Sequence, residues 1–295
     1  KQLLHDLKQG QISMTAPGAF ELGKNIATTP ASVVFENELF QLLQYHPTTE
    51  QVYAEPLLII PAWINKYYIL DLQEENSLVR WLTAQGFSVF VVSWVNPDES
   101  HKDTGFDDYM IRGAWEAVQQ VQKLANHPSV HVAGYCLGGT LLSCLMAWLQ
   151  AKGTQEAISR ATFLTTMVDF AEAGDLKVFI DESQIAAMED RMTEKGYLEG
   201  REMALTFNML RPSDLIWSFV IQNYMLGKEP MAFDLLYWND DSTNMPAAMH
   251  SFYLRKLYRD NLLVQPNGIS MDETPIDATK IKTPAYFLST REDHI

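Results

Sequence analysis

Val130-His131-Val132-Ala133-Gly134-Tyr135-Cys136-Leu137-Gly138-Gly139-Thr140 is the stretch around which the rest of the chain can be read. Its first half (Val130, Val132, Ala133) is apolar and strand-like, and its centre turns on Gly134-Tyr135-Cys136-Leu137-Gly138. Beyond the turn, Leu141, Cys144, Leu145 and Trp148 fall on one helical stripe. A Gly-x-nucleophile-x-Gly pentapeptide between a strand and a helix is a nucleophile elbow. The glycines let strand and helix pack closely, and the central side chain is carried away from the sheet. The central residue is Cys136, where serine is more usual. A thiol there sits at a helix N-terminus, whose partial positive charge lowers a cysteine pKa. The amide of Leu137 is placed to donate to an oxyanion. A lone Gly-x-Cys-x-Gly is a weak pattern, because cysteines are often inert packing. The flanking strand and helix leave both readings of Cys136 open, whereas Cys144, on the apolar stripe, reads as core.

Composition narrows the classes. The 295 residues, 47% hydrophobic and 20% charged, make a globular chain with a sizeable core, either one large domain or a domain with an insertion. A net charge of -15 without a Lys/Arg run argues against nucleic acid or an anionic membrane surface as the main partner. Two cysteines build no disulfide framework, which favours a reducing cytoplasm. Lys1 to Gln9 lacks the apolar run of a signal peptide, and no apolar run reaches the length of a membrane span.

The order of elements gives the fold class. Residues 1–31 are weakly patterned and are expected to wrap the surface. Val33-Val34-Phe35 and Leu39 to Leu42 form a hairpin around Glu36-Asn37-Glu38. Pro56 to Pro61 is an apolar run of the kind buried on both faces of a parallel sheet. A helix follows over 74–85, a strand over 87–94, a helix over 106–126, the elbow strand and helix, and a strand over 161–170. Alternation of this kind predicts an α/β chain, α/β-hydrolase-like, with a mostly parallel doubly wound sheet and helices on both faces. The expected organisation is an N-terminal segment and hairpin (1–54), an α/β core with the elbow (55–170), a helical cap insertion (171–277) and a return to the sheet (278–295). The insertion is rich in Met and aromatics and is punctuated by Pro212, Pro230 and Pro246. It reads first as a helical subdomain with an adaptable core, and a cap that excludes water is compatible with that.

After the strand expected over Pro284 to Ser289 comes Arg291-Glu292-Asp293-His294-Ile295. In the hydrolase order the acid follows a late strand and the histidine comes last, which makes Asp293 the candidate acid. His294 adjoins that acid in sequence, a poor geometry for a base held by it. The expectation is therefore of a chain truncated before its last strand and its triad histidine. Asp293 is otherwise an ordinary solvated loop residue, as Asn65, Lys66 and Asp71 would be.

Several stretches in order resemble the polyhydroxyalkanoate synthases, in particular the class I type. They are Pro61 to Leu72 (PAWINKYYILDL), Val92 to Asp98 (VSWVNPD), Gly134 to Thr140, Asn208 to Trp217 (NMLRPSDLIW), Phe233 to Asn239 (FDLLYWN) and Arg291 to Ile295. The resemblance implies a capped α/β-hydrolase fold and an acyltransferase. That enzyme polymerises (R)-3-hydroxyacyl-CoA, with 3-hydroxybutyryl-CoA the expected substrate, into polyester with release of coenzyme A. It makes Cys136 the nucleophile that carries the chain as a thioester and Asp293 the triad acid, with His294 beside it and Asp71 in a supporting role. It also implies Trp63 or its neighbour Ala62 as second oxyanion donor beside Leu137, no metal and no cofactor beyond the coenzyme A thioester. A homodimer in the intact enzyme and a cytoplasmic location at polyester granules follow from it too. The family's N-terminal region is expected to be essentially missing, as is the C-terminal end with the base, which leaves the chain's own activity open. A thiol-dependent esterase or hydrolase of the same fold, or a non-catalytic fragment binding polymer or a synthase, remain the alternatives.

Overall fold

A computed structural model describes residues 2–10 and 12–291. The apolar runs become strands β1 (Ala31–Glu36), β2 (Phe40–Tyr45), β3 (Leu57–Ile60), β4 (Val89–Trp94), β5 (Val130–Tyr135) and β6 (Ile158–Leu164), with a closing strand at Ala285–Leu288. They form one seven-stranded sheet in the order β1-β2-β4-β3-β5-β6-closing strand. The β1–β2 and β2–β4 pairings are antiparallel, and every pairing from β4 onward is parallel. The hairpin is thus the antiparallel margin of the central sheet.

Period two along the strands sorts the core into two layers. Leu58, Ile60, Phe90, Val92 and Val132 pack on one face with the helices after β4 and β5, while Leu57, Ile59, Val89, Val91 and Ala133 pack on the other with Val79. The doubly wound, mostly parallel α/β sheet read from the sequence is the observed fold.

Several boundaries differ from the sequence reading, for local reasons. The helix expected over 74–85 opens as a 3-10 turn (Glu74–Asn76) and becomes α-helical only at Leu78–Ala84, because Ser77 caps it by accepting from the Arg80 amide at 3.0 Å. The helix over 106–125 carries a π turn at Tyr109–Trp115, where a Cβ on Gly113 would meet the Trp94 ring at 2.7 Å, and it ends on Asn126 in the left-handed conformation. Strand β6 spans Ile158–Leu164, not 161–170, because Thr165 adopts φ 48° and turns the chain out of the sheet.

Residues 171–277 contribute nothing to the central sheet. They fold as helices Glu182–Lys195, Gly200–Leu210, Asp234–Asp240 and Ala247–Phe252, with π turns at Ser213–Trp217, Val220–Met225 and Tyr253–Arg259. Arg255 clamps Glu189 bidentately (2.7 and 2.6 Å) and reaches Glu182 at 2.9 Å, joining the first helix of the insertion to the last. The N-terminal residues lie against this insertion: the Tyr224 hydroxyl donates to Asp6 at 2.6 Å and the Ala16 amide to the Met231 carbonyl at 3.3 Å.

His250 is fully buried within the insertion, and neither ring nitrogen has a hydrogen-bond partner. Burial pushes its pKa down to about 4. The depressed folded pKa makes its contribution to stability complete above about pH 6.5 and lost as the pH falls toward 4. Between pH 7 and 5 that loss amounts to about 2 kcal/mol. Urea unfolding of the native chain and of His250→Leu at both pH values checks this. The native protein should lose about 2 kcal/mol more than the leucine variant; parallel losses would refute it.

Candidate active site

The elbow is built by steric necessity. Strand β5 ends at Tyr135 and the 16-residue helix Leu137–Lys152 begins one residue later, with Cys136 between them at φ 52°, ψ -122°. That is a strained backbone for a residue with a Cβ, and strain of this kind persists only where the surroundings enforce it. Three glycines do so. A Cβ on Gly134 would lie 2.4 Å from the Gly139 Cα, one on Gly138 would lie 1.9 Å from the Ile60 carbonyl oxygen, and one on Gly139 would lie 2.0 Å from the Thr166 hydroxyl. Helix start, β5 and the end of β3 therefore meet at backbone contact distance. The Cys136 amide donates to the Leu164 carbonyl at 2.9 Å, and the Cys136 carbonyl accepts from the Gly139 amide (2.9 Å) and the Thr166 hydroxyl (3.3 Å). The Cys136 side chain is half-buried, while Cys144 is fully buried in the core, where burial pushes its thiol up to about 12.

Leu137 supplies the first amide of the elbow helix, one of the four that have no carbonyl a turn earlier. Trp63 stands in the turn after β3, two residues beyond Pro61. The close approach of Gly138 to Ile60 and Pro61 brings the start of that turn to the helix start. The Trp63 indole is buried, edge-on to Phe106 (5.7 Å), Tyr109 (5.9 Å) and Tyr253 (5.7 Å).

The loop carrying Trp63 is tied to the insertion at several points. The Trp238 indole donates to the Lys66 carbonyl (2.8 Å), the Tyr68 hydroxyl to Asp241 (2.8 Å) and the Thr243 amide to the Ile64 carbonyl (2.9 Å). Asp71, at the far end of that loop, is buried, with one carboxylate oxygen accepting from Thr29 (2.5 Å) and Ser77 (2.6 Å). These bonds fix the loop to the N-terminal segment and to the next helix; neither partner belongs to the elbow.

Asp293 and His294 lie outside the described residues. Among the other histidines, His46 bonds Ser32, His101 bonds Asp98, His127 bonds the Ser129 carbonyl and His131 bonds Thr162. Among the described residues, no group of three or more His, Cys, Asp and Glu has the arrangement of a metal site, and no helix is long and apolar enough to cross a membrane.

The sequence reading missed part of the wall around Cys136. Tyr253 and Tyr258 of the insertion belong to the apolar cluster against which Cys136 packs; burial, with a lesser contribution from a negative charge at Cys136, pushes both hydroxyls up, as it does that of Tyr135. Tyr253 is one of the many aromatics of the insertion, and nothing in the local pattern around Tyr258 distinguishes it from another core residue.

A strand-elbow-helix unit in a mostly parallel sheet is the arrangement of the alpha/beta hydrolases, and the model of that fold matches residues 55–295. The chain belongs to the alpha/beta hydrolase fold family. Along its whole length it is 53% identical to a poly(3-hydroxyalkanoate) polymerase of Methylorubrum extorquens, of which it covers 49%. It is 45% identical to the poly(3-hydroxyalkanoate) polymerase subunit PhaC of Cupriavidus necator, covering 51% of that protein. To the corresponding subunit of Rhizobium etli it is 46% identical, covering 47%. The chain spans about half the length of the curated relatives it matches. The resemblance carried by the motifs is thereby borne out.

Residues 1–82 match the model described as the poly-beta-hydroxybutyrate polymerase (PhaC) N-terminus, so part of the family's N-terminal region lies within this chain. The quoted motifs begin only at Pro61, and the weakly patterned residues before the hairpin offered no local signal.

Proposed function

We propose that this chain carries the nucleophile of a polymerase that joins (R)-3-hydroxyacyl groups, 3-hydroxybutyryl first among them, into polyester. The Cys136 thiolate attacks the carbonyl carbon of the coenzyme A thioester. The tetrahedral oxyanion is held by the Leu137 and Trp63 amides, the bond to the coenzyme A sulfur breaks, and coenzyme A leaves as its thiolate and takes up a proton. The 3-hydroxyl of an acyl group then attacks a Cys-bound thioester, giving up its proton to the general base as the new ester forms and the cysteine sulfur is released. Asp293 serves as the acid that orients that base, with His294 beside it, and Asp71 supports the site by fixing the loop that carries Trp63. Exchange of one thioester for another is nearly balanced in free energy, which favours a thiol over a hydroxyl nucleophile. The reaction moves an acyl group and a proton, so we assign neither metal nor cofactor. The matching partners are the growing polyester, its granule in the cytoplasm, and a second copy of the intact protein.

The observation that carries this reading is the strained, half-buried Cys136 at the helix start, in a chain alike along its full length to polyester polymerases. Coenzyme A release from (R)-3-hydroxybutyryl-CoA, with product analysis, tests it. The assay should use this chain, a version extended to the relatives' length, and Cys136→Ala in each. Polymer from the extended protein, abolished by the alanine, is the expected result. Free 3-hydroxy acid as the sole product would replace the polymerase by a hydrolase, and coenzyme A release independent of Cys136 would remove the nucleophile.

A further inference from the structure

Strands β5 and β6 break at the same level of the sheet. Tyr135 and Leu164 are their last register pair, and the next residue of each, Cys136 at φ 52° and Thr165 at φ 48°, is left-handed. For a β-branched threonine that is an outlying conformation, kept only where neighbours impose it. The Thr165 amide donates to the Leu288 carbonyl at the end of the closing strand (2.8 Å), and the Cys136 amide donates to the Leu164 carbonyl (2.9 Å). The turn so anchored delivers Thr166 to the elbow. Its hydroxyl lies 3.3 Å from the Cys136 carbonyl oxygen and 3.4 Å from that of Leu164, with one proton to give. Its side chain fills the space that Gly139 leaves, where a Cβ would meet the Thr166 hydroxyl, methyl and Cβ at 2.0, 2.6 and 2.8 Å. One residue later, the Met167 carbonyl accepts from the Thr140 hydroxyl at 2.7 Å. The turn after β6 is therefore fastened to the first turn of the elbow helix at two consecutive residues.

We propose that Thr166 is a positioning residue for Cys136, a brace that holds the strained peptide of the nucleophile from the side of the neighbouring strand. The direction of a Cα–Cβ bond is set by the two peptides that flank it. At Cys136 the amide side is fixed on Leu164, and the carbonyl side is held by the Gly139 amide from within the helix and by the Thr166 hydroxyl from outside it. Thr166 thus acts through the backbone and does not need to touch the reacting atoms. A small error in aim costs a nucleophile much of its rate, because attack requires aligned atoms. The brace deepens the function proposed above and rests on Cys136 being its nucleophile.

The test compares Thr166→Val, which keeps the shape and removes the hydroxyl, with Thr166→Ser, which keeps the hydroxyl. Both are made in the protein extended to the relatives' length and assayed where each is folded. For coenzyme A release from (R)-3-hydroxybutyryl-CoA, kcat should fall about tenfold in the valine variant with KM within about twofold, and the serine variant should recover most of the loss. Deuterium exchange reads the brace without substrate: the Cys136 and Gly139 amides should exchange about fivefold faster in the valine variant, while those of β3 and β4 keep their native rates. A valine variant with native kcat would overturn the proposal whatever its exchange, because the threonine would then only stabilise its turn. A serine variant as slow as the valine one would overturn it too. Should Thr166→Val fail to fold, Thr166→Ala against Thr166→Ser carries the same comparison, and equal kcat values there are equally decisive. If the native extended protein releases no coenzyme A, the proposed function fails and exchange alone decides the brace: it stands if valine speeds those amides and serine does not, and falls if valine leaves them at native rates.

Discussion

In the protein extended to the relatives' length, Cys136→Ser is expected to cut coenzyme A release by at least ~10³-fold while leaving the fold unchanged. The substitution exchanges sulfur for oxygen at a half-buried position whose backbone is already fixed at φ 52°, so packing has little reason to change. The chemistry changes a great deal. A serine hydroxyl stays protonated where a thiol at a helix start ionises, so attack waits on complete proton removal by the base. An acyl group that did transfer would rest as an oxygen ester, and a later hydroxyl would meet a poorer leaving group. Steady-state release, together with trapping of the acyl-enzyme by mass spectrometry, separates the two losses. A variant within tenfold of the native rate would deny Cys136 its role.

Gly138→Ala is expected to be the most damaging single methyl group in the chain. Its Cβ would stand 1.9 Å from the Ile60 carbonyl oxygen and 2.8 Å from that of Pro61, both backbone atoms that cannot rotate away. Relief requires the start of the elbow helix to withdraw from β3, and that movement would carry the Leu137 amide from the turn that holds Trp63. The expected cost is about 3 kcal/mol or more in stability, with loss of coenzyme A release beyond what the stability change explains. Urea unfolding and activity at a temperature where the variant stays folded check both halves. The same change at Gly153, where φ is 74° but no atom lies within 4 Å, serves as a comparison for backbone strain without collision.

What could be read in advance follows from the range of each signal. The elbow, β3, β4 and the elbow helix are encoded in runs of four to sixteen residues whose periodicity is local, and all stand near where that periodicity puts them. The early end of β6 was hidden, because a left-handed Thr165 is a β-branched residue in a conformation imposed by its neighbours. Tyr258 joins the cluster against which Cys136 packs from more than a hundred residues away in the chain, and no local pattern marks such a neighbour. Asp71 belongs to a stretch that resembles the family's active-site surroundings, yet its bonds run to Thr29 and Ser77, and only the folded chain shows that its grip is on the loop.

The strap from Ile64 to Tyr68, held by Trp238, Asp241 and Thr243, makes the insertion and the turn that carries Trp63 a single mechanical part. A displacement of the insertion would therefore drag the Trp63 turn with it, together with Tyr253, whose ring packs edge-on to the Trp63 indole.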